Sequence, residues 1–169
     1  MEVNELLADA FGRVQGEVAG VLDGLSQEDL EARPGPEANS IAWLVWHIAR
    51  VQDDHVSEVA GREQAWTAGG WEERFGLDLP PGDTGYGHGP KDVGKVAGVS
   101  AADLLAYYEA VHANTLEYIG GLTAADLDRV VDTNWTPHVT LGVRLVSVID
   151  DNQQHGGQAA YVRGLLESR

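Results

Sequence analysis

The stretch from Leu141 to Leu166, LGVRLVSVIDDNQQHGGQAAYVRGLL, constrains the fold more than any other. Its apolar residues fall in two series, Leu141, Val148, Val162 and Leu145, Ala159, Leu166, which is the spacing of one helix face. Asp151 and His155 interrupt that stripe. Being four apart on a helix, they stand one turn above the other and point the same way. An acid and an imidazole buried unpaired are costly. A divalent metal would pair with both, given a third ligand from elsewhere.

The rest of the chain predicts three further long helices. The first covers Val3 to Leu22, with Leu6, Leu7, Phe11, Val14, Val18 and Val21 or Leu22 as one wall of a core. Ser26 and Asp29 then form a capping box for one short turn, and Pro34-Gly35-Pro36 breaks any helix. A second long helix starts at the Ser40 N-cap and runs to about Gly61. In it, His47 is three residues after Leu44 and four before Val51, on the inward stripe. Asp54 lies on nearly the same side, and His55 is turned somewhat away. A single histidine so placed is more often a hydrogen-bonded core residue than a ligand. A third long helix begins at Ser100 with Asp103 and carries Leu104, Leu105, Tyr108, Val111, Leu116 and Ile119 to Gly120-Gly121. His112 falls among mixed positions and reads as structural or exposed.

Residues 62–99 change character. They are rich in Gly and Pro and carry Trp66, Trp71, Phe75, Tyr86 and His88. A short helix fits near Glu72 to Phe75, and PPGDTGYGHGP reads as loop. The aromatics argue against disorder. The segment is expected to pack across one end of the fold and rim a pocket, a plain surface excursion being the alternative.

The motif GLTAADL at Gly121–Leu127 echoes GLSQEDL at Gly24–Leu30. Each follows one long helix and precedes another, capped by Thr140 or Ser40, which suggests two similar helix–linker–helix halves. Second helices facing one another would bring His47 to Asp151 and His155. Four amphipathic helices and no convincing strand pattern predict an all-α fold: a four-helix bundle, one domain over residues 1–169, with a loop and short-helix excursion between helices two and three.

The charge balance narrows function. With 27 acidic residues against 11 basic ones, the chain lacks the basic face that nucleic acid or an anionic membrane surface requires. There is no cysteine, so no disulfide and no protein thiol nucleophile. No signal peptide is evident, and no apolar run approaches the ~20 residues of a membrane span. A cytoplasmic protein is expected.

Two imidazoles and a carboxylate make a ligand set for a divalent metal with one position open, the catalytic arrangement of zinc. Nickel, iron or manganese would accept it too. Asp150 is the competing acid, but it is five from His155 and turned aside. Gln158, seven beyond Asp151, is placed to hydrogen-bond a ligand. Arg144, seven before it, is placed to balance charge or hold a substrate anion. Ordinary helix polarity is the plainer reading of both. No Ser-His-Asp set or phosphate loop appears, and GYGHG lacks the lysine and strand context of the latter.

The helix WLVWHIARVQDDH, the pair DNQQH and the following GGQAAYVRGLL resemble the DinB-like superfamily of metal-binding four-helix bundles, over essentially the whole chain. The closest resemblance is to mycothiol S-transferases. It implies metal ligands at His47, Asp151 and His155. Many bacillithiol-linked relatives have His where Asp151 stands. The mycothiol-dependent maleylpyruvate isomerase has an acid there, but also a further C-terminal domain, so isomerase activity is not expected. The implied reaction joins a low-molecular-weight thiol, mycothiol, to a small electrophile in detoxification, with a metal-bound thiolate, zinc being the expected ion. A metal-dependent hydrolase and a non-catalytic metal-binding stress protein are the alternatives. A homodimer is compatible with the apolar faces without being required.

Overall fold

Three of the four long helices start where a hydroxyl side chain can hold a free amide of the first turn. The Ser40 hydroxyl accepts from the Trp43 amide at 3.2 Å, Ser100 from Asp103 at 3.0 Å, and Thr140 from Val143 at 3.4 Å. In the computed structural model, which describes residues 1–168, the long helices are α1 (Val3–Leu22), α3 (Ile41–Ala60), α7 (Ala101–Gly120) and α8 (Leu141–Glu167). Short helices α2 (Gln27–Glu31), α4 (Ala65–Ala68), α5 (Trp71–Phe75) and α6 (Pro90–Val93) lie in the connections. The all-α fold expected from periodicity is the observed one. The exception is a small antiparallel ribbon, β1 (Val130–Asp132) and β2 (Val139–Thr140), too short to show a strand's alternation in sequence.

Packing determines the arrangement. α3 lies against α7 and α8, and α1 lies against α7 and α8, so α1 and α3 occupy opposite corners of the bundle. One core cluster joins the late half of α1 (Val14, Val18, Val21) to the early halves of α3 and α7 and the end of α8 (Ala159, Val162, Leu166). The other joins early α1 (Leu7, Phe11) to late α3 (Val56, Val59), Ile119 of α7 and early α8 (Leu141, Leu145, Val148). Helices α3 and α8 therefore run antiparallel, while α3 and α7 run parallel.

That parallel pair explains the long excursion. After α3 ends at Gly61, in the left-handed conformation with φ +66°, the chain must return the length of a 20-residue helix before α7 can begin, roughly 30 Å. It does so as packed structure: Trp66, Phe75, Val93, Val96 and Val99 are buried in the first core cluster.

A buried ion pair pins this crossover to α3. Arg50 and Asp53 are both essentially inaccessible and lie 3.7 Å apart. Arg50 donates to the Asp83 carbonyl at 3.0 Å, to Gln64 Oε1 at 2.7 Å and to the Tyr107 hydroxyl at 3.2 Å. Asp53 accepts from the Ala65 and Trp66 amides at 2.9 and 2.8 Å and from Tyr107 at 2.9 Å. Each charge is thus met on several sides, the condition for burying it at all. Removing one partner strands the other, so Asp53→Asn is expected to lower stability by about 3–5 kcal/mol. Urea unfolding checks this; a midpoint shift no larger than that of a surface substitution would refute the anchoring role.

Candidate metal centre

The middle of the bundle, between the two apolar clusters, holds the polar groups. The seven-residue series of α8 explains which. Val148 and Val162 bracket His155, and Leu145 and Ala159 bracket Asn152. Asn152, which sequence reasoning passed over, is the fully buried one. Its Nδ2 donates to Gln52 Oε1 at 2.8 Å, which also accepts from the Tyr108 hydroxyl at 3.1 Å, while Gln52 Nε2 donates to Thr115 Oγ1 at 2.8 Å. This network ties α8, α3 and α7 at one level. It places Asp151 and His155 at the border of the buried stripe, partly exposed, rather than inside it as the periodicity suggested.

His47 of α3 meets them across the helix pair. The three side chains offer ligand atoms that all lie within 4.8 Å of one another. His47 Nε2 is 3.7 Å from Asp151 Oδ2, and the His47 and His155 rings meet edge to face with centroids 4.5 Å apart. Both imidazoles are oriented by backbone carbonyls: His47 Nδ1 bonds the Thr84 carbonyl, and His155 Nδ1 bonds the Asp151 carbonyl at 2.8 Å. A nitrogen that donates in this way leaves the lone pair on Nε2, the form a metal ligand needs.

Electrostatics agree with that donor set at His47 and Asp151. Burial, the largest influence, pushes the His47 imidazole below its ordinary pKa, despite the opposing Thr84 bond, so the ring is neutral at pH 7. Burial pushes the His155 pKa down, but the hydrogen bonds and charge of Asp151 outweigh it and raise the value. Burial likewise works to raise the Asp151 pKa, and the close approach of His155, with the other neighbouring imidazoles, brings it below the ordinary range. Asp151 Oδ2 is nevertheless buried without an aligned donor, since His155 Nδ1, 3.3 Å away, directs its hydrogen at the Asp151 carbonyl. An ionised carboxylate oxygen left unsatisfied between two imidazoles fits a cation as its missing partner.

The excursion supplies the collar. Gly85, at φ +90°, has no room for a side chain: a Cβ there would stand 2.8 Å from His47 Nδ1 and 3.0 Å from the Trp43 ring. The glycine lets the loop lie flat over the imidazole and present the Thr84 carbonyl. Asp83 holds that turn, accepting from the Gly85 amide at 2.7 Å and from His88 Nε2 at 2.9 Å, while His88 Nδ1 accepts from the Trp43 indole at 3.0 Å. Trp43 in turn stacks on His47, 4.7 Å between centroids. Sequence reading noted His88 and the GYGHG loop but not this function. A glycine amid aromatics was the available signal.

His47 and Asp151 open onto a cavity of about 490 Å³. Val51, Val139, Val143 and Val148 form its apolar wall, and Tyr86 and Trp135, both exposed, stand along it. Trp135 comes from the β1–β2 connection, which carried no periodic signal. His55, expected to be turned away, also lines the cavity. Arg144 lies there too, but its charge is already engaged: it donates to His55 Nδ1 and Glu58 Oε2, each at 2.8 Å, and to Asp132 Oδ2 at 3.3 Å. Gln158 is exposed and does not line the cavity. His112 is partly buried, stacked on Tyr108. Among the described residues no helix is long and apolar enough to cross a membrane.

Comparison with known proteins gives the same picture at the level of the whole chain. A conserved protein from Enterococcus faecalis, known from its crystal structure, is 34% identical, covers 100% of this chain and 99% of its own, and superposes with a TM-score of 0.93. No curated protein matches the chain. The mycothiol-S-transferase family profile matches residues 6–168. Together with the helical bundle described above, that match makes this chain a member of the mycothiol-S-transferase family.

Proposed function

We propose that this protein is a metal-dependent S-transferase that joins mycothiol to a small apolar electrophile. The observation that carries this reading is the His47–Asp151–His155 cluster, with its unsatisfied carboxylate oxygen, which opens through His47 and Asp151 onto a cavity in a chain without cysteine. The nucleophilic sulfur then has to come from a co-substrate.

His47, Asp151 and His155 would hold a divalent cation, zinc by its donor preference, which when bound lowers the pKa of a thiol and leaves one position open. The remaining steps belong to the protein. The Thr84 carbonyl keeps His47 Nδ1 protonated and its other nitrogen available. Val51, Val139, Val143 and Val148 hold the apolar body of the electrophile and keep water from its reacting carbon. With a chlorinated electrophile, the sulfur–carbon bond forms as the carbon–chlorine bond breaks. Chloride leaves with the bonding pair, and the thiol proton passes to solvent.

Removing the metal with a chelator, or substituting His47→Ala, is expected to abolish conjugation of mycothiol to a chlorinated electrophile, and zinc should restore the chelated wild type. Undiminished turnover by the chelated protein or by His47→Ala would refute the proposal.

Gly85→Ala is expected to displace the Thr84 carbonyl and weaken zinc binding about 10- to 100-fold, as read by competition with a chromophoric chelator. Unchanged affinity would show that the collar does not orient His47.

Trp135→Ala should raise KM for the electrophile about tenfold, with kcat and the KM for thiol little changed. Steady-state kinetics with each substrate varied in turn tests this, and an effect confined to the thiol would reverse the assignment of the apolar wall.

A further inference from the structure

A second chamber of about 530 Å³ lies beyond the first, and the two share Asp54, His55 and Arg144 as a common wall. Its chemistry is different. No aliphatic side chain, Phe, Tyr or Trp lines it; Glu58, Arg62 and Gln64 are among the residues that do.

The charges in it are mutually engaged. Its lining carries three carboxylates and two guanidiniums. Arg144 bonds Glu58 at 2.8 Å and Asp132 at 3.3 Å, Gln64 Nε2 donates to Asp54 at 2.7 Å, and Arg62 bonds Glu117 at 3.2 Å. A carboxylate-bearing ligand would find no surplus cation here, and an ammonium would have to compete with the arginines. An apolar ligand would desolvate charged groups without compensation. A hydroxyl suits the place: it donates to a carboxylate, which retains free lone pairs, and accepts from a guanidinium at the same time. Several hydroxyls on one rigid, uncharged framework would join the existing network without unbalancing it.

We propose that this second chamber binds an uncharged polyhydroxylated group, the glucosamine–inositol portion of the thiol co-substrate, while the apolar chamber takes the electrophile. The inference rests on the S-transfer reading for the identity of that group, but not for the chemistry of the chamber. Thiol selection then lies in the hydroxyl-reading chamber and not at the metal ligands, which any thiol can approach.

The test uses the full chain loaded with zinc. The thiol-free N-acetylglucosaminyl-inositol pseudodisaccharide, whose nitrogen is acylated as in the thiol itself and carries no charge, is titrated into it by calorimetry. Saturable binding is expected, weakened about tenfold in Glu58→Ala and in Arg62→Ala. Glu58 is exposed and Arg62 half-buried, and thermal melts verify that the variants fold. In parallel, KM is compared for mycothiol and for N-acetylcysteinamide, which carries the same acylated and amidated cysteine without the sugars or a charge. Mycothiol should show the lower KM by about tenfold or more, with the ratio shrinking toward one in both variants. Absence of saturable binding, binding unaffected by both substitutions, or equal KM values for the two thiols would overturn the assignment and leave S-transfer standing. Pseudodisaccharide binding that both substitutions weaken, in a protein that transfers no thiol, would uphold the chamber and remove the S-transfer reading.

Discussion

The hydrogen bond between Asn152 and Gln52, buried at the mid-level of the bundle, is the interaction on which the candidate centre depends. An apolar contact between α3 and α8 would tolerate sliding by a turn, since valine and leucine pack in several registers. A pair of amides does not. Gln52 has its oxygen filled by Asn152 and Tyr108 and its nitrogen by Thr115. Sliding α8 along α3 would break this set and leave buried amides unsatisfied, at a cost of about 1–3 kcal/mol for each group. That register also sets His47 opposite Asp151 and His155. The most buried polar residue of α8 is therefore its neighbour's positioning device, not itself a ligand.

A second constraint follows from the directions of the helices. Because α3 and α7 are parallel, the connection between them has to travel the bundle's length, and the protein uses that passage as a wall. Arg50 and Asp53 tie the crossover down at Asp83, Gln64, Ala65 and Trp66. The tie at Asp83 is one residue from the carbonyl that orients His47. Core stability and ring orientation are thus coupled through a few residues of chain, and loosening the buried ion pair would be felt at the imidazole.

Much of this could be read from sequence, because it depends on local rules. The caps at Ser40, Ser100 and Thr140, the boundaries of the long helices and the convergence of second helices follow from hydroxyl placement and 3.6-residue periodicity. What escaped was non-local. Asn152 sits in the same seven-residue series as Leu145 and Ala159, but nothing local distinguishes it from a solvated asparagine beside Asp151. Arg50 and Asp53 look like the polar side of an amphipathic helix until the crossover covers them. Arg144 looked free to hold an anion, and only the fold brings Glu58 and Asp132 to it. Trp135 and Val139 belong to a ribbon too short to leave a pattern. Local periodicity identifies faces; it does not say what a distant segment will lay over them.

The distribution of charge completes the argument. The chain carries a net charge of −16, which favours a cation near any of its carboxylates and says little about where one would settle. Specific placement comes from desolvation. Most acids here are on the surface, where a counterion exchanges freely with water. Asp151 is different in having one oxygen out of contact with solvent, between two imidazoles, and with no hydrogen to accept. In that position Coulomb attraction is less screened, and an unfilled lone pair has no cheaper alternative. The same reasoning explains the cavity's two-sided character: where arginine and carboxylate already neutralise one another, as around Arg144, selectivity has to rest on hydrogen-bond geometry rather than on charge.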